Sequence, residues 1–201
     1  MRSERYENVK KIFEKNGPIL KSSILRENKI GSREIAELVS DGHINRIKNG
    51  YYIWNSDVNN VEDMEIAVSV IKNGVLCLFS AAQLYGLTTV NPMAIDIAVP
   101  CVGKVPVLPK YPPINIYRVT QSIFNIGISE IRTASTMLRV YNKERVVCDF
   151  FRFRIQIGED IALEVFKSYI SGRDVNIQRL LEYADKLRIK SVMKPYVEAL
   201  L

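Results

Sequence analysis

At 201 residues, with 47% hydrophobic content and a mean hydropathy near zero, the chain can bury a real core and falls between one domain and two. No run approaches the roughly 18 apolar residues that span a bilayer, and the start Met1-Arg2-Ser3-Glu4-Arg5-Tyr6 lacks a signal peptide's apolar stretch, so no membrane role and a cytoplasmic location are expected. Lys and Arg outnumber Asp and Glu by 28 to 22, a net charge of +6 that suits a polyanionic partner; the excess lies in residues 1–54 and from 94 onward, with an acidic stretch between.

In chain order, Tyr6, Val9, Ile12 and Phe13 recur at helical spacing and Asn16-Gly17-Pro18 stops that helix. Ile24 and Leu25 mark a second, shorter helix over Lys21 to Glu27. Asn28-Lys29-Ile30-Gly31 is a turn, and Ser32 is the expected N-cap of a third helix with Ile35, Leu38 and Val39 inward. After Asp41-Gly42 the pattern becomes β-prone: His43 to Ile47 and Tyr51 to Trp54 flank Lys48-Asn49-Gly50, a strong hairpin signal. Ile44 and Ile47 are three apart, which breaks strict alternation and implies a bulge or an early start to the wing turn. Three helices and a basic-tipped hairpin are the order of a winged helix-turn-helix.

The polar run Asn55-Ser56-Asp57-Val58-Asn59-Asn60 reads as a domain boundary, giving a winged domain over 1–56 and an α/β domain over 57–201. In the latter, helices are expected around Met64 to Ile71 and Ser80 to Tyr85, with strands over Ala94 to Pro100, Ile114 to Val119, Ile126 to Ile131 and Met137 to Tyr141. Asn142 caps a helix through Phe151. Three more helices follow, near Ile161 to Ile170, Leu180 to Leu187 and Val192 to Leu200, with Pro195 placed in a first turn. The fold class is α+β: an N-terminal winged helix-turn-helix, then a mixed α/β domain with a helical tail.

In such a fold the start of the third helix meets base edges and the wing meets backbone. The DNA-binding candidates are therefore Lys29, Ser32, Arg33 and Glu37 around the third helix, and Arg46, Lys48, Asn49 and Tyr51 in the wing. Glu34, Glu37 and Asp41 make the third helix acidic, so a protein-binding winged helix stays open as a second reading. Arg132, Arg139, Lys143, Arg145, Arg152 and Arg154 are the densest cationic stretch outside the winged domain and form a candidate second basic surface. Catalysis is not expected. His43 is the sole histidine, Asp63 and Glu65 diverge on a helix, and no nucleotide-binding or CxxC motif occurs, so neither a cofactor nor a metal site is expected. Cys77, Cys101 and Cys148 read as reduced, buried thiols.

Nearly the whole chain resembles the AbiEi antitoxins of bacterial type IV toxin–antitoxin systems. The resemblance rests on the wing phrase Gly42 to Tyr52, the helix phrase Phe79 to Leu87, the strand end Ile97-Ala98-Val99-Pro100 and the strand-to-helix phrase Leu138 to Asp149. It implies a repressor that binds inverted repeats in its own promoter, and an antitoxic C-terminal domain that opposes a nucleotidyltransferase-like toxin in abortive infection without a stable complex. The expected state is a monomer or weak oligomer, cooperative on DNA. Where relatives often carry Thr-Leu-Val-Asp, this chain has Val146-Val147-Cys148-Asp149, so no threonine hydroxyl acts there. A stand-alone regulator or an interaction adaptor is the alternative.

Overall fold

Helix α1 (Arg2–Asn16) turns Val9, Ile12 and Phe13 to one side and stops where the Gly17 N–H donates back to the Phe13 carbonyl at 2.8 Å. Gly17 has φ +99, a conformation that glycine adopts without a Cβ penalty. The computed structural model describes residues 2–133 and 135–200. The chain divides into two compact units, Met1–Lys72 with Pro106–Pro113 and Arg132–Met137, and Asn73–Val105 with Ile114–Ile131 and Leu138–Leu201.

In the first unit β1 (Ile19–Lys21) precedes α2 (Ser22–Glu27) and α3 (Ser32–Ser40), and the hairpin β2 (Ile44–Lys48) and β3 (Tyr51–Trp54) follows. The strands form an antiparallel sheet in the order β1-β3-β2. Sequence reasoning had no strand at Ile19; it forms because Ile19, Leu20 and Lys21 pair with Ile53, Tyr52 and Tyr51. Of the two alternatives for the broken alternation, the bulge is present, as a register shift between Arg46 and Lys48. Val9, Ile12, Phe13, Leu20, Leu25, Ile30, Ile35, Ile44 and Trp54 close a single core. Each such side chain contributes about 1.5–3 kcal/mol on burial.

This unit does not end in the polar stretch after Trp54. A 3-10 turn (Asn55–Asp57) continues from β3, tied by the Asn55 N–H to the His43 carbonyl at 3.0 Å. Helix α4 (Asp63–Val70) is bound to the unit's later segments, Asp63 accepting from the Tyr111 hydroxyl at 2.6 Å and Glu65 from Thr133. The unit therefore runs to Lys72 rather than to residue 56.

The second unit is built on a mixed sheet in the order β6-β5-β4-β8-β7, comprising β4 (Val75–Leu76), β5 (Ile95–Pro100), β6 (Ile114–Val119), β7 (Ile128–Arg132) and β8 (Met137–Tyr141). β5 and β6 are parallel, and β4 runs antiparallel to β5 and parallel to β8. Two-residue β4 is too short to read from sequence, yet it joins the halves of the sheet. The helices are α5 (Leu78–Leu84), short α6 (Gln121–Phe124), α7 (Lys143–Arg152), short α8 (Arg154–Ile157), α9 (Glu159–Ile170), α10 (Ile177–Lys186) and α11 (Lys190–Leu200). The Asn142 side chain caps α7 by accepting from the Arg145 N–H at 3.1 Å, as its position implied. Pro195 falls in the second turn of α11, and its exposed side leaves the unmatched carbonyl to solvent. The architecture is thus mixed α+β. Among the described residues no helix is long and apolar enough to cross a membrane.

Candidate functional site

Helix α3 is anchored from within and polar without. Ile35 is buried and Leu38 and Val39 partly so, while Ser32, Arg33, Glu37 and Ser40 face solvent. Ser32 is not the cap: Gly31 holds that position in extended geometry, and its N–H donates to Glu34 Oε2 at 2.9 Å, leaving Ser32 as the first helical residue. Arg33 has 93% of its side chain exposed and pairs with Glu37 at 3.5 Å. Such an exposed i,i+4 pair is worth about 0.3–0.5 kcal/mol, so Arg33 leaves it at little cost. Lys29 is exposed in the turn before α3, with φ +65 and its N–H donated to the Arg26 carbonyl at 2.9 Å.

The hairpin presents its polar residues on two faces. Arg46 pairs with Tyr52, which packs on the core, and donates to Asn49 Oδ1 at 2.8 Å. Lys48 pairs with Tyr51 instead, half-buried, its Nζ donating to the Val107 carbonyl at 2.9 Å and lying 4.8 Å from the Tyr51 ring centroid. Burial lowers the Lys48 pKa, and the charge on Lys21 lowers it further. Lys21 sits over the same ring at 5.6 Å. Sequence reasoning assigned Lys21 to a helix; its place on the sheet follows only from the pairing of Ile19-Leu20-Lys21 with β3.

The second basic set loses one member to the interior. Arg132 is exposed. Arg145 is fully buried: its Nε donates to Asp149 Oδ2 at 3.0 Å, and Nη1 donates to the carbonyls of Ile123 and Ile126 at 2.7 and 2.8 Å. The i,i+4 spacing of Arg145 and Asp149 on α7 turns both inward together. Arg154 donates to the Phe151 carbonyl at 2.9 Å, Lys143 pairs with Asp174 at 3.5 Å, Arg152 lies 5.8 Å from the Phe153 ring, and Arg139 is half-buried.

His43 packs against Tyr6 with ring centroids 4.6 Å apart. Asp63 and Glu65 take separate partners, as their divergence on a helix implied. Cys77 and Cys148 are buried and burial raises both thiol pKa values, but Cys101 is exposed, at a strand end rather than in the core as expected. Among the described residues no group of three or more His, Cys, Asp or Glu is placed to hold a metal. No protein-family model and no curated protein matches the chain.

Proposed function

We propose that the first unit is a winged helix-turn-helix and that the chain is an AbiEi-type antitoxin, which represses its own operon and opposes a nucleotidyltransferase-like toxin. The observation that carries the reading is the union of three helices with the sheet β1-β3-β2, in which α3 leaves Arg33 exposed and the hairpin carries Arg46, Lys48 and Asn49. In this reading α3 enters the major groove, where Arg33 contacts a base edge, and the wing meets phosphate. Ser32 and Lys29 lie at the helix start beside the backbone. The partner is operator DNA carrying inverted repeats, bound in the cytoplasm.

A gel shift of the full chain on its own promoter region, repeated at rising salt, tests this. A discrete, salt-sensitive complex is expected. Arg33→Ala should lower affinity for the operator by about 1–3 kcal/mol and leave random duplex almost unaffected. Replacing Arg46 and Lys48 together with Ala should flatten the salt dependence. Weak, sequence-indifferent retention would instead favour a protein-interaction module, the reading that acidic Glu34, Glu37 and Asp41 on and beside α3 support. Co-expression with a neighbouring nucleotidyltransferase-like reading frame tests antitoxicity: growth should be restored without a co-purifying complex.

A further inference from the structure

Lys21 on β1, Tyr51 on the central strand β3 and Lys48 on β2 are lateral partners in register, so the three side chains share one face of the sheet. Both ammonium groups lie over one ring, at 5.6 and 4.8 Å from its centroid. The bulge explains how Lys48 comes to be there. Arg46 pairs with Tyr52, so regular antiparallel pairing would set Ile47 opposite Tyr51; the register shift leaves Ile47 unmatched and brings Lys48 into the row. A bulge thus places a second cation on the other side of Tyr51 from the first, and two like charges that flank one ring repel. The row is also distinct from the Arg46–Asn49 contact, which belongs to the opposite face.

An anion held between the two ammonium groups, beside the Tyr51 hydroxyl rather than over the ring face, would offset that repulsion. Lys48 commits one donor to the Val107 carbonyl and retains two, and the Tyr51 hydroxyl can add another. We propose that the Lys21–Tyr51–Lys48 row is a phosphate-binding subsite in which both ammonium groups grip one phosphate. The phosphate belongs to a duplex backbone, an assignment that rests on the DNA-binding reading above. Lys21 thereby becomes a contact residue that the hairpin alone does not reveal.

Two measurements on the full chain test the subsite. The first follows lysine ε-methylene resonances by NMR while inorganic phosphate replaces chloride at constant ionic strength. The Lys21 and Lys48 signals should move on one shared isotherm, and Lys21→Gln should abolish most of the Lys48 shift; separate curves, or no shift, overturn the subsite. The second compares salt slopes on random-sequence duplex for Lys21→Gln, Lys48→Gln and the double variant. Each phosphate neutralised contributes about 0.9 to the slope, so lysines that share one phosphate make the double variant lose about 0.9, whereas separate phosphates make it lose about 1.8. A loss near 1.8, or none, refutes sharing. If the wild-type chain binds no duplex yet both lysines follow one phosphate isotherm, the DNA reading fails and the subsite stands with free phosphate as its source.

Discussion

Replacing Arg145 with Met keeps the stem of the side chain and removes the guanidinium, which strands Asp149 in the interior of the second unit. Asp149 has a side-chain exposure of 5% and loses its ionic partner, while the carbonyls of Ile123 and Ile126 lose their donor. Orphaning one member of a buried pair costs about 3–5 kcal/mol. With a urea m-value of about 2 kcal/mol/M, the midpoint should fall by about 2 M in unfolding followed by circular dichroism. Burial already raises the Asp149 pKa, and Arg145 restrains that rise. Without the arginine the folded-state pKa climbs further above its unfolded value. The stabilisation of the protonated form is then full at low pH and lost as pH rises, so the variant should be weaker at pH 8 than at pH 5. Adding Asp149→Asn removes the stranded charge and should recover part of the loss. A loss below about 1 kcal/mol for Arg145→Met, or strict additivity in the double variant, would refute the reasoning.

Gly127 has φ +77, and a Cβ there would lie 2.7 Å from the Arg145 Cβ, so Gly127→Ala should cost about 1–3 kcal/mol in the same urea assay; a neutral substitution would show that the α7 start yields easily. Burial raises the Asp96 pKa against the hydrogen bonds from Asn115 at 3.0 Å and the Phe79 N–H at 3.2 Å. That group contributes stability fully present below its unfolded pKa of about 3.9 and lost as pH rises through the folded value. Asp96→Asn should flatten stability across that window, and an unchanged pH profile would contradict it.

Most elements of the fold are legible where a local signal and the final contacts agree. The Asn49-Gly50 turn between β-prone runs, the broken alternation of Ile44 and Ile47, and the Asn142 cap all follow from neighbours in sequence. What stayed illegible is set by distant partners. β1 exists because β3 offers an edge, and β4 because β5 and β8 flank it; three-residue and two-residue strands carry no periodicity of their own. Local charge density misled for the same reason. Arg145 looks like Arg152 or Arg139 in sequence, and only the inward facing of Asp149 with the Ile123 and Ile126 carbonyls makes it a core residue. At the candidate site, Arg33, Arg46 and Lys48 are candidates from element order alone, whereas Lys21 becomes one only through the strand pairing that sequence did not disclose.

Trp54, the sole tryptophan, is 5% exposed in the core of the first unit, with Tyr6 and Phe13 rings 5.4 and 5.3 Å away. Its indole emission therefore reports on the solvation of that unit alone, while the second unit is dark at tryptophan wavelengths. Because helices of both units contribute to the far-ultraviolet signal, a dichroism transition that departs from the emission transition shows the second unit unfolding apart from the first, with no label and no truncation.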